Sequence, residues 1–128
     1  MSKQKFVREY DMKSTPIAVL WSYISTANGL KQWFADDAHS DGREIVLDWN
    51  GSEQSIVPVG MRNEKYIRFH WKDDDDSRSY FELRITSSEM TGNTVVDVTD
   101  FAEPADLEEA QKLWDYQMET LQRQMGCL

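Results

Sequence analysis

The feature that most constrains this chain is its final quarter, Pro104 to Met125, where Leu107, Ala110, Trp114, Met118, Leu121 and Met125 recur at intervals of three and four. That spacing lines one side of a long helix with apolar side chains. The other side carries Glu108, Lys112, Asp115, Glu119 and Arg123, and the Glu108/Lys112 and Glu119/Arg123 pairs stand four apart with the acid first, the favourable order. A stripe this long must be covered by something comparably large. Most of what precedes it has the period of strands.

Phe6, Arg8, Tyr10 and Met12 alternate with Val7, Glu9 and Asp11, as in a half-buried strand. Ser14-Thr15-Pro16 then supplies a capping hydroxyl and a proline at the expected first helical position. Ile17, Leu20, Trp21 and Ile24 mark one face of a short helix ending near Thr26. Asn28-Gly29 is expected to turn the chain, with Leu30, Trp33 and Phe34 forming a further helical turn or two before a polar loop from Asp36 to Arg43.

From Glu44 the period becomes two for about 55 residues, the pattern of an antiparallel meander of four or five strands. Ile45, Leu47 and Trp49 share a face before the Asn50-Gly51 turn, and Val57, Val59 and Met61 are expected to share one after it. Pro58 cannot donate to a ladder, which predicts a bulge or an open edge there. Ile67, Phe69 and Trp71 alternate with Tyr66, Arg68 and His70, and Phe81, Leu83 and Ile85 with Tyr80, Glu82 and Arg84, giving a dry and a wet face. In the last strand Thr94, Val96 and Val98 alternate with Val95, Asp97 and Thr99, and both sets are apolar enough to leave the inner face open.

The chain has 128 residues, of which 40% are hydrophobic and 12% aromatic, enough for one compact domain over 1–128 and no second. A formal net charge of -9 argues against nucleic-acid and anionic membrane surfaces, which are bound largely by Lys and Arg. Met1 to Tyr10 has no apolar run suited to a signal peptide, and nowhere do about 18 apolar residues follow one another. These features predict a soluble, cytoplasmic protein without membrane insertion. The single cysteine, Cys127, cannot form an internal disulfide and fits a reducing compartment.

The order strand, helix, short helix, strand meander, long terminal helix resembles the α+β helix-grip fold of the START-like superfamily (SRPBCC). More closely, Ser14-Thr15-Pro16 through Leu20-Trp21, Gly29-Leu30-Lys31-Gln32-Trp33-Phe34 and the run Leu113-Trp114 to Leu121 resemble domains related to the activator of the Hsp90 ATPase. The resemblance implies a curved antiparallel sheet of about six strands wrapped around the terminal helix, with two short helices after the first strand. It carries no specific activity across, because this fold hosts lipid carriers, hormone binders, cyclases and co-chaperone domains.

Set against that architecture, the dry face offers Trp49, Phe69, Trp71 and Phe81, and the helix opposite offers Trp114, Met118 and Leu121. These residues are the candidate lining of a pocket for a small hydrophobic or amphipathic molecule. The competing reading is that they simply fill the core. An empty apolar cavity of about 300 Å³, at about 24 cal/mol per Å³, costs roughly 7 kcal/mol, comparable with the whole stability of a small domain. Either a ligand or water fills such a space, or the tryptophans leave only a cleft.

No catalytic, cofactor or metal site is assigned from the sequence. His70 falls on the wet face, and His39 lies with Asp36, Asp37 and Asp41 in a segment that a polar surface loop explains. Asp73 to Asp76 lacks the glycine and spaced ligands of a calcium loop and reads as a solvated hairpin end. Arg8, flanked at two-residue spacing by Phe6, Tyr10 and Met12, either meets a ligand carboxylate in the interior or lies at the sheet margin with its head in water. Two other functions remain open: a co-chaperone-like module docking an unknown basic protein through its acidic surface, and a cyclase- or hydrolase-type enzyme, which requires a titratable group facing inward.

Overall fold

The computed structural model describes residues 2–127, so the two terminal residues of the expected 1–128 domain lie outside it. Its strands are β1 (Gln4–Asp11), β2 (Asp37–Asp41), β3 (Glu44–Trp49), β4 (Ser52–Arg62), β5 (Tyr66–Trp71), β6 (Phe81–Ser87) and β7 (Thr94–Ala102). Helices α1 (Ile17–Ser25) and α2 (Ala27–Leu30) follow β1, and α3 (Leu107–Gln124) follows β7 through a turn of 3-10 helix at Pro104–Asp106. All seven strands form one antiparallel curved sheet in the order β1-β7-β6-β5-β4-β3-β2. The meander is thus closed on one side by the first strand, which pairs with the last in a register that sets Phe6 opposite Asp100.

The inner face follows the period of two. Leu47, Ile56, Phe69, Leu83, Val96 and Val98 are fully buried, and Trp114, Met118 and Leu121 of α3 are buried against them. Burying a side chain such as Met118 or Leu121 stabilises by about 1.5–3 kcal/mol relative to leaving it exposed. In β7 the inner set is Val96, Val98 and Ala102, while Val95 and Thr99 on the other side are also buried. That double burial is why the pattern alone does not choose a face.

The outer face is organised rather than merely wet. Glu82 is buried there, accepting from Arg68 Nη2 at 2.9 Å and from Arg84 Nε at 3.2 Å. Arg68 lies over the Tyr80 ring at 4.0 Å and Arg84 over Tyr66 at 4.4 Å, so each guanidinium shares a carboxylate and a π-face. His70 bridges two carbonyl oxygens, Ser79 O at 2.7 Å and Asp74 O at 3.0 Å, which closes the acidic hairpin Asp73 to Asp76 back onto β5. Asp74 also pairs with Lys3 at 2.9 Å.

Four local expectations are corrected. The stretch read as a polar loop contains β2, whose only buried residue is Ala38; an edge strand needs few apolar side chains, and its charges discourage pairing with another chain. In β4 the ladder shifts between Pro58 and Gly60, and this bulge, rather than an open edge, accommodates the proline between β3 and β5. Ile56, paired with Ile45 and Trp71 ahead of the shift, is buried, while Val59 and Met61 are exposed, contrary to the expected Val57, Val59, Met61 face. Pro16 precedes α1 without a side-chain cap, because the Thr15 hydroxyl donates instead to Met12 O at 2.6 Å, and Ile17 is exposed.

The fourth correction concerns Asn28-Gly29, which lies inside α2 rather than in a turn. Thr26 separates the two helices, its hydroxyl accepting from Gly29 N at 2.9 Å. A Cβ at Gly29 would stand 2.1 Å from Ser22 O, so only glycine allows α2 to fold this tightly against α1. The Asn50-Gly51 turn is as expected, with φ of 54° and 90° at the two residues.

Helix α3 is fixed to β1 by its polar flank. Asp115 accepts from Arg8 Nη2 at 2.6 Å and from the Tyr10 hydroxyl at 2.6 Å. Arg8 therefore finds its carboxylate within the protein, and its side chain stays partly exposed. Burial and the bond to Asp115 hold the Tyr10 phenol well above its ordinary pKa. Further along, Gln122 Nε2 donates to Asp11 O at 2.9 Å and Cys127 Sγ to Met12 O at 3.1 Å. Both i,i+4 pairs form, Lys112 with Glu108 at 3.1 Å and Arg123 with Glu119.

Candidate functional site

Among the described residues the space between sheet and α3 is largely filled by aromatic rings. Phe34, carried inward by the segment after α2, sits at the centre of the aromatic side chains, 5.6 Å from Phe81, 5.7 Å from Trp114, 5.8 Å from Trp49 and 6.3 Å from Trp71 between ring centroids. Its carbonyl oxygen accepts from Trp49 Nε1 and from Gln117 Nε2, both at 3.1 Å. These bonds satisfy a buried backbone group and hold two site residues in place.

What remains is an open cleft of about 450 Å³ between the β3–β4 hairpin, the ends of β5 and β7 and the middle of α3. Trp49, Trp71 and Trp114 of the candidate set border it. Phe69, Phe81, Met118 and Leu121 lie in the packed core, each no more than 1% exposed. Trp49 and Trp71 are half-buried, with ring centroids 6.1 Å apart and planes at 41°.

Sequence reasoning missed the rest of the wall: Phe34, Ser52, Gln54, Asp100, Leu113 and Gln117. Asp100 had a usable signal. It continues the inner-face series Val96, Val98, Asp100, Ala102, so the period of two alone points its carboxylate inward. Its Oδ2 accepts from Trp114 Nε1 at 2.8 Å and its Oδ1 from Phe101 N at 2.7 Å. Burial raises the Asp100 pKa above the ordinary carboxylate value, and the two hydrogen bonds only partly oppose it. A second groove of about 410 Å³ continues past Leu113 toward Tyr116 and the α2–β2 segment, sharing Phe34, Trp49 and Gln117 with the first.

The other polar candidates do not converge here. His39 is exposed on the edge strand β2, His70 is engaged on the outer face, and Arg8 is paired with Asp115. Among the described residues no group of three or more His, Cys, Asp or Glu is placed to hold a metal ion. No helix among them is long and apolar enough to cross a membrane.

A curved antiparallel sheet closed around a long terminal helix, with two short helices after the first strand, is a helix-grip architecture, and its cleft lies between sheet and helix. The family model for the START-like superfamily domain matches residues 1–127, and the chain belongs to that superfamily. Among solved structures it is similar to BfR322 from Bacteroides fragilis, with 37% identity over 97% of this chain and 92% of that one and a TM-score of 0.65. The Aha1 dimer from Colwellia psychrerythraea shares the fold at 16% identity, over 95% of this chain and 96% of that one, with a TM-score of 0.78. The Bacillus halodurans protein BH1534 does so at 17% identity, covering 98% and 99%, with a TM-score of 0.73. A search of curated proteins gives no significant match.

Proposed function

We propose that this START-like chain binds a small apolar or amphipathic molecule in the cleft between the β3–β4 hairpin and α3, without transforming it. The observation that carries this reading is that three tryptophans, Trp49, Trp71 and Trp114, border one open space of about 450 Å³. Its size matches the usual range for small-molecule sites, about 300–1,000 Å³. Half-buried Trp49 and Trp71 present apolar surface to water, and covering it yields roughly 25 cal/mol per Å². Because Phe34 plugs the interior behind them, the ligand sits at the mouth and need not open the core.

Titration with apolar and amphipathic compounds, read by tryptophan fluorescence and checked by native mass spectrometry, tests the reading. Saturable quenching that disappears in Trp49→Ala and Trp71→Ala is the expected result. Saturation that survives both substitutions would place the ligand elsewhere and sink it. An acid–base enzyme is the second reading, favoured by the inward carboxylate of Asp100. It predicts a product formed by the wild type and not by Asp100→Asn.

A further inference from the structure

We infer that the cleft selects a cation: an organic ammonium bearing an apolar tail or ring, its charged head set between the Asp100 carboxylate and the faces of Trp49, Trp71 and Trp114. This rests on the ligand-binding reading above and specifies its ligand class.

Charge at the site argues first. Of the cleft's lining residues only Asp100 is ionisable, while Ser52, Gln54 and Gln117 are neutral. Asp100 has one hydrogen bond to each oxygen, from Trp114 Nε1 and Phe101 N, whereas a carboxylate offers about four lone-pair sites. Among the described residues no Lys, Arg or His forms a salt bridge with it. Lys3, whose charge acts on Asp100 only through space, is itself paired with Asp74 at 2.9 Å. The site therefore holds a partly buried carboxylate with acceptor capacity unused, whose charged form burial disfavours, and a ligand that supplies a counter-charge favours that form.

Ring geometry argues independently. A cation is attracted to an aromatic face within about 6 Å of its centroid, most strongly to tryptophan. Trp49 and Trp71 stand with centroids 6.1 Å apart and planes at 41°, both border the cleft, and Trp114 borders the same space while donating to Asp100. A neutral alcohol reaches the carboxylate but leaves its charge uncompensated. An anion meets both Asp100 and the negative ring faces. The formal charge of -9 draws cations toward the whole surface.

Three probes with one tail test this: hexyltrimethylammonium, hexan-1-ol and hexanoate, titrated calorimetrically into the full chain. The ammonium is expected to bind at least about tenfold more tightly than the alcohol, in line with a desolvated cation–π contact, and hexanoate least of all. Asp100→Asn keeps an acceptor for the Trp114 indole and should remove the ammonium's advantage over the alcohol, read as the ratio of the two affinities. Trp71→Leu, which removes a π-face but keeps an apolar side chain, should weaken the ammonium more than the alcohol and so lower the ratio of their affinities. Equal binding of ammonium and alcohol, or an Asp100→Asn variant that folds and still prefers the ammonium, overturns the inference while the cleft remains a ligand site. Failure of all three to bind overturns both readings. Phosphatidylcholine vesicles form a separate arm: uptake of the lipid assigns the ammonium to a headgroup, and ammonium binding without uptake assigns it to a free amine.

Discussion

The two halves of α3 pack on the same sheet with opposite results. In the second half Met118 and Leu121 are fully buried, Asp115 at its start is gripped by Arg8 and Tyr10, and Gln122 and Cys127 hook the backbone of Asp11 and Met12. In the first half Leu113 is 57% exposed, Leu107 and Ala110 are half-buried, and Trp114 forms the wall of a cleft. The apolar stripe is continuous in the sequence. It is sealed where polar clamps from β1 and its following turn hold the helix, so the tightly buried contacts gather at one end and the open cleft at the other.

The largest effect expected from this division is at the sealed end. Leu121→Ala should cost about 2–5 kcal/mol, the range for a large-to-small change in a site that cannot collapse. Trp71→Ala, at the half-exposed mouth, should cost less than about 2 kcal/mol yet abolish ligand binding. Urea unfolding of both variants beside a binding titration decides the matter. Equal destabilisation by the two would mean that the cleft is part of the core and that the helix has no functional end.

Next in size is Trp114, a residue that is buried and also forms part of the cleft wall. Trp114→Phe keeps most of the buried ring but leaves Asp100 Oδ2 without its indole donor. An orphaned buried acceptor costs about 1–3 kcal/mol. The double variant Trp114→Phe with Asp100→Leu should recover much of that loss, because removing both partners is far less costly than removing one. A double variant no more stable than Trp114→Phe alone would show that the bond does not hold the two elements together.

The division between the halves was only partly legible in the sequence. Period and spacing specified the helix, its buried stripe and the dry face of the meander, because one-sided burial forces regular alternation. They did not reveal β2, whose edge position leaves Ala38 as its only buried side chain, or the register shift at Pro58–Gly60, which is set by strand pairing rather than by local residue type. For the site, Trp49, Trp71 and Trp114 were recognisable as inner-face aromatics. The plug was not, since nothing in Trp33-Phe34 says which ring points to the centre; Trp33 instead donates its Nε1–H to Tyr23 O at 2.8 Å, which leaves Phe34 the inward place. Asp100 was readable from its phase in β7 but was obscured by its identity, since an aspartate is ordinarily taken as outward-facing.

A smaller effect is expected at the clamp. Asp115→Ala removes the acceptor of both Arg8 and Tyr10, but the Arg8 and Asp115 side chains are 38% and 42% exposed. Water replaces much of what is lost, so the cost should be about 1 kcal/mol. The informative readout is hydrogen exchange at the end of α3. Faster exchange there, with the first half unchanged, is expected; uniform acceleration along the helix would show that Asp115 is not what separates the ends.

The smallest effect is a difference in pH dependence between the cleft and the outer face. Burial raises Asp100 above its ordinary value, so the folded chain holds that proton more tightly than the unfolded chain, and stability from this group falls as pH rises from about 3.9 through the higher folded value. For Glu82 burial also raises the pKa, but Arg84 and Arg68 together outweigh it and the net shift is downward. Its contribution is therefore present above about 4.3 and is lost as pH falls through the lower folded value. Relative to wild type, Asp100→Asn should gain stability as pH rises through the acidic range, and Glu82→Gln should lose it over a range that begins lower. Denaturation curves taken across that range separate the two. If Asp100→Asn runs parallel to wild type throughout, the carboxylate is solvated rather than held in the cleft wall, and the open end of α3 loses the charge that distinguishes it from the sealed one.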